Sequence, residues 1–374
     1  MKTPARRYLE FAALCLLAIA LLWWFGRKLD WTEVQLALRQ ANWYLLGLAV
    51  VIISLAYGFR AFRWGVLLSP LAPARWRDLF AATTLGFSAV FLLGRAGEVV
   101  RPAALTMRDP RVRPSSAFVT IFIERIYDMM AILLMFAINL LWFTPPSHTV
   151  TEFSRIRISG AILLAGAICG IIVLTFFRRH SRFVIDRVKR LFQRTTFVPA
   201  RLAEAIVSLL NQLAGGLRVL VDARELAVTV SWTVMVWLCI GVAYYLVFRA
   251  FGLPFGVSET IFVLGWSLAG SLVPTPGGAA GAFHAVTAAG LILLGIPRET
   301  AAAVSIVLHF VGFGPAILFG LFYFVRGDMN ISRMRSLLAS QPEGPKRDNP
   351  LLNIDVDSAR ASELETSPKI TPEV

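Results

Sequence analysis

Charge and cysteine are both scarce in this chain. Only 16% of its 374 residues are charged against 57% apolar, and the 23 acids are outnumbered by 37 Lys and Arg. A disordered protein is thereby excluded, and an ordinary soluble globule, about half apolar, is a poor match. The 3 cysteines, Cys15, Cys169 and Cys239, show no CxxC or metal spacing and fall in apolar stretches. That excludes a disulfide scaffold and leaves small buried hydrophobes. No GxxxxGK[ST] loop is present, so any transport is expected to be passive or coupled to an ion gradient. No nucleophile–His–acid set, metal-ligand spacing or DxD-like pair is legible, so no catalytic residue, cofactor or metal is expected.

What the chain has instead is long apolar runs. They predict an all-α, polytopic membrane bundle with full spans at about 9–25, 43–59, 117–143, 157–177, 226–251 and 300–325. The first run follows basic residues as a signal peptide would, but it leads into Gly26-Arg27-Lys28 without a small-residue cleavage site and reads as a retained anchor. With the N-terminus inside, 27 of the 37 basic residues fall on inner connectors, Arg60 and Arg63 among them, and 7 on outer ones. Topology explains the net charge of +14, and no nucleic acid partner is needed. The expected setting is the cell inner (plasma) membrane, with both termini cytoplasmic. Trp23, Trp24, Trp43 and Trp142 near span ends read as interface anchors.

Residues 1–335 form the membrane domain in this reading. Within it, 178–224 is a basic cytoplasmic connector with helix-like apolar spacing, either amphipathic helices on the membrane face or a solvated linker. Residues 336–374 are polar and Pro/Ser-rich and predict a disordered cytoplasmic tail.

Three apolar pieces, 79–94, 258–273 and 278–295, are shorter. The roughly 15 residues of 79–93 reach only about 22 Å, against a hydrocarbon core of about 30 Å. The first piece breaks at Gly94 and Gly97, the second at Pro274, Pro276, Gly277 and Gly278. Two re-entrant, broken hairpins of opposite orientation fit this pattern, as in inverted-repeat transporters. Counting the short pieces as ordinary passes gives 8–9 spans and satisfies the charge rule equally.

Two charged blocks interrupt the apolar pattern: Arg95, Glu98 and Arg101 at three-residue spacing, and Glu124, Arg125 and Asp128 at the opening of another apolar run. Their formal charges cancel. Each ion set singly against lipid costs about 2.5–3.5 kcal/mol on insertion scales, so they belong in a bundle interior, a cavity or the interface. One reading is a salt-bridge lattice without ligand. The other gives Arg95, Arg101 and Arg125 the phosphate of an anionic lipid headgroup, oriented by Glu98, Glu124 and Asp128. His284 lies just past the second break and His309 in the last span, as helix-to-helix hydrogen bonds or as proton carriers.

The blocks LLGRAGEVVRPAAL (92–105), IERIYD (123–128), VPTPGGAAGAFHA (273–285) and LGIP (294–297) resemble the lysylphosphatidylglycerol synthase transmembrane-region, or flippase-like, family. The resemblance implies an inner-membrane helical protein of lipid metabolism. It departs from many members at His284 and His309, where they carry Glu and Arg. It also lacks the synthases' soluble aminoacyltransferase domain after Arg326, so lipid aminoacylation by this chain is not expected. The expected function is translocation of an anionic phospholipid or polyprenyl-phosphate lipid between leaflets, with Gly94, Gly97, Pro274, Pro276, Gly277, Gly278 and His284 lining the path or hinging it. The alternatives are a non-transporting partner of a lipid or glycolipid enzyme, and an intramembrane transferase using Glu98 or Asp128 as base.

Overall fold

A computed structural model describes residues 4–69, 72–143, 150–194, 207, 210 and 223–326. The proposed tail at 336–374 and most of the connector beyond residue 194 lie outside the described residues. Among those described the protein is α-helical without strands: α1 (Pro4–Gly26), α2 (Trp31–Gln40), α3 (Trp43–Leu68), α4 (Trp76–Leu93), a 3-10 turn (Gly94–Val99), α5 (Val100–Arg108), α6 (Pro114–Trp142), α7 (Val150–Arg194), α8 (Ala223–Ala250), α9 (Val257–Gly270), α10 (Ala282–Leu293) and α11 (Arg298–Val325).

All six expected spans fall on helices. Four of the described helices, α3, α4, α8 and α11, are long and apolar enough to cross a membrane. This corrects the reading of 79–93: Trp76, Arg77 and Asp78 supply an extra first turn, and the 18 residues of α4 reach about 27 Å. Its return arm, the 9-residue α5, is far too short to recross. The 14 residues of α9 and 12 of α10 are likewise short of the core. α7 continues past the expected boundary at 177/178 to a kink at His180 (φ −123°, ψ 31°), where two helical stretches join. Asp30, accepting the N–H groups of Thr32 and Glu33 (2.8 and 3.4 Å), starts α2 inside what reads as an outer connector.

α11 sits at the centre. Half of its most apolar stretch is covered by protein, against 28–39% in the other three long helices, and it packs on α2, α3, α4, α8 and α10. The main core gathers Tyr57, Phe248, Phe262, Leu291 and Val304 from α3, α8, α9, α10 and α11. Polar ties fix the periphery: Asn139 and Ser258 exchange two 2.9 Å bonds joining α6 to α9. Trp23, Trp24, Trp43 and Trp142 all stay exposed, where interface anchors belong. The cysteines are free, and none is fully buried as expected: Cys15 and Cys239 are half-buried and Cys169 is exposed. Cys169 lies on an apolar, outward-facing stretch of α7 with Ile168 and Ile172, so its apolar setting is outside the bundle.

Both broken segments are hairpins. α5 folds back on α4, and α10 on α9. Their tips meet: the N–H groups of Gly277 and Gly278 donate to the Phe91 carbonyl at 2.6 and 3.1 Å. Phe91 stands in the last turn of α4, where carbonyls have no helical partner, so one hairpin caps the helix of the other. Gly94 ends α4 at φ +62°, and a Cβ there would lie 3.1 Å from the Thr275 carbonyl. Gly97 rests against the Ala89 backbone, leaving no room for a side chain. Gly97→Val is therefore expected to separate the 3-10 turn from α4 and to lower the thermal midpoint of the purified protein, costing roughly 1–3 kcal/mol as overpacking does.

Candidate functional site

The charged residues converge, though not as the sequence pairs them. At the centre is Arg63 on α3, fully buried. Its Nη1 and Nη2 donate to the two carboxylate oxygens of Asp128 at 2.7 and 3.1 Å, and Nη2 also lies 3.1 Å from Glu124 Oε1. Nη1 is shared with the Thr233 hydroxyl at 3.1 Å, and the Trp237 indole N–H donates to Asp128 at 3.2 Å. Both belong to α8. Arg101 grips Glu124 through two parallel bonds of 2.9 and 3.0 Å, the planar fork that suits a carboxylate. Its guanidinium lies 4.2 Å from the ring centroid of Trp64, a favourable cation–π placement. Gly86 on α4 makes room for Arg101, since a Cβ there would sit 2.5 Å from the Arg101 Cβ.

Two further cations stand at the edge. Arg60 is 3.7 Å from Asp128 with its side chain 12% exposed, and Arg125 is 4.0 Å away and 35% exposed. Both guanidiniums lie over the Phe87 ring, at 5.1 and 5.6 Å from its centroid. Arg63 and Arg101, at 0% and 3%, are sealed. The cluster thus has an inner, sealed layer of close ion pairs and an outer pair of loosely held arginines.

This corrects the charge balance expected from sequence. Arg60 and Arg63, read as connector residues after a span ending at 59, lie within α3, which runs to Leu68. Glu98 is half-buried and makes no ion pair with a described residue. Among the described residues four arginines face two carboxylates, a surplus of two positive charges. Arg95 lies in the 3-10 turn, and its side chain is outside the described part of the chain.

The second break lies elsewhere, at the hairpin tips. Pro274 is exposed, Pro276 and Gly277 half-buried, and Gly278 buried. His309 Nε2 is 3.1 Å from the Gly278 carbonyl, and the His284 and His309 rings stand edge-on with centroids 4.8 Å apart. Phe25 stacks on His284, while Phe91 and Phe313 flank His309. His309 thus fastens the glycine turn to α11. Among the described residues no group of three His, Cys, Asp or Glu side chains could hold a metal.

The family model for the lysylphosphatidylglycerol synthase transmembrane region matches residues 11–320, which takes in the charged cluster and both hairpins. The chain belongs to this family. Two proteins of Methanothermobacter thermautotrophicus, each named UPF0104 membrane protein, are similar to it. One is 25% identical over 324 residues, covering 82% of this chain and 90% of its own length. The other is 24% identical over 300 residues, covering 75% and 85%. With its long apolar helices, the family member described here is an integral membrane protein.

Proposed function

We propose that this protein carries an anionic lipid, a phospholipid or a polyprenyl phosphate, between leaflets of the plasma membrane, with both termini cytoplasmic. The observation that carries the reading is the surplus of two arginines in the cluster. Ionised groups among apolar helices need compensation, and among the described residues Arg60 and Arg125 share one distant carboxylate, Asp128. A phosphate is the counter-charge that fits, because guanidinium forks match its oxygens and stay charged in an apolar setting. The roles divide: Arg63 and Arg101 bind Glu124 and Asp128 and form the frame, while Arg60 and Arg125 receive the guest. Arg101 and the two carboxylates then position rather than contact the lipid.

A transferase reading fares worse. With Glu98 or Asp128 as base, it has less support at Asp128, whose carboxylate already accepts hydrogen bonds from Arg63 and Trp237 and is held in the ion-pair frame. The facing hairpins, capped one by the other, supply the broken helices at which transporters of inverted design bind cargo.

The test uses proteoliposomes with a fluorescent anionic phospholipid and a quencher confined outside. Each charge-assisted bond to phosphate is worth about 1.5–3 kcal/mol, and about 1.4 kcal/mol is a factor of ten. Arg60→Gln/Arg125→Gln is expected to slow transfer by roughly tenfold or more while the melting temperature holds. Undiminished transfer in that variant overturns the reading.

A further inference from the structure

A furrow of about 680 Å³ lies between α6, α8 and α9, walled by Met130, Leu134, Ile138, Val234 and Leu238 and almost free of polar surface. Small-molecule sites run to about 300–1,000 Å³, so its capacity is that of a ligand rather than a dimple. Leu134, Ile138, Val234 and Leu238 are exposed, so the furrow opens sideways from the bundle. One end is tied to the charged cluster. Thr233 and Trp237 line the furrow and are the same two side chains that hydrogen-bond Arg63 and Asp128. Asp128 is in turn the carboxylate nearest Arg60 and Arg125.

We propose that the furrow holds one acyl chain of a membrane phospholipid whose phosphate reaches Arg60 and Arg125. This rests on the transport reading above and names its substrate class. An apolar trough ending at two surplus cations complements an amphiphile with an anionic head and a hydrocarbon tail. Length favours a phospholipid. From Tyr127 to Ile138 the α6 wall rises about 16 Å, and one leaflet's share of a hydrocarbon core of about 30 Å is about 15 Å. A polyprenyl carrier, several times longer, would overhang it. Gly241 on α8 also lines the furrow, and a Cβ there would meet nothing within 4 Å, so a larger side chain plugs the trough without disturbing the helix.

The experiment reconstitutes the full chain with phosphatidylglycerol carrying a diazirine in one acyl chain, irradiates, and maps adducts by mass spectrometry. Adducts are expected to concentrate on α6, α8 and α9, and to fall to background in Gly241→Phe. Gly241→Leu, a smaller plug, gives an intermediate loss, and melting curves show whether either variant has lost its fold. Labelling spread evenly over the outward-facing helices overturns the proposal. So does equal furrow labelling by a diacylglycerol probe without phosphate, or preferential labelling by a polyprenyl-phosphate probe. Failure here is separable from failure of the transport reading. A Gly241→Phe variant that keeps both labelling and transfer removes the furrow from the route. An Arg60→Gln/Arg125→Gln variant that keeps transfer removes the arginines.

Discussion

Glu124→Gln is expected to unfold the charged cluster from its centre. Glu124 is fully buried and holds Arg101 through two bonds and Arg63 through a contact of 3.1 Å. A neutral amide keeps the shape but leaves two sealed guanidiniums with one fewer counter-charge, and Arg63 must then share Asp128 with Arg60 and Arg125. Breaking one side of a buried pair typically costs about 3–5 kcal/mol, a large part of the stability of most domains. The measurement is thermal unfolding of the detergent-solubilised protein, and a clear fall in midpoint and yield is expected. The second arm separates charge from packing. Adding Arg101→Gln to Glu124→Gln removes the stranded cation opposite and is expected to recover part of the loss. An unchanged midpoint in the single variant, or no recovery in the double, contradicts the assignment of Glu124 as the central counter-ion.

The two layers of the cluster follow from this. A sealed ion pair contributes little net stability, because desolvating both partners offsets most of their attraction. Arg63, Arg101, Glu124 and Asp128 nevertheless come from three helices, α3, α5 and α6, with α8 adding Thr233 and Trp237. Their bonds fix the register of those helices and so the position of the outer arginines. Preorganised cations need little rearrangement to meet a phosphate, which is where their location on rigid helices matters.

Much of this was legible in the sequence, and what was not has identifiable causes. The apolar runs placed the membrane helices, and the Gly94 and Pro274–Gly278 breaks placed the hairpin tips. Arg101, Glu124 and Asp128 were correctly set in one network, because ions four apart beside an apolar run have nowhere else to go. Arg60 and Arg63 were missed because an apolar window stops at the first arginine, whereas the helix continues through Trp64, Val66, Leu67 and Leu68. The apolar residues after Arg63 are the signal that would have kept it inside. Glu98 was grouped with Arg95 and Arg101 by three-residue spacing, but it stands half-buried in the 3-10 turn and pairs with none of the described arginines. The contact between hairpin tips joins residues nearly 190 positions apart through backbone groups, and no side-chain pattern records such a bond.

That backbone seam leads to the last expected result. Gly278 takes φ +61°, and a Cβ there would lie 2.7 Å from the Phe313 ring and 3.2 Å from His309 Nε2. Gly278→Val therefore combines two costs: a left-handed backbone, about 1–2 kcal/mol for a residue with a Cβ, and overpacking of about 1–3 kcal/mol. The side chain also pushes the turn away from Phe91, whose carbonyl the Gly278 N–H helps to cap. Gly295 is the control, because it has φ +84° but nothing within 4 Å of an added Cβ. Gly295→Val carries the backbone cost alone. Gly278→Val is expected to lower the melting temperature further than Gly295→Val, and to depress lipid transfer where the control does not. Equal effects on both readouts would mean that the facing tips are a local turn like any other; a larger loss at Gly278 ties the meeting of the two hairpins to the movement of lipid.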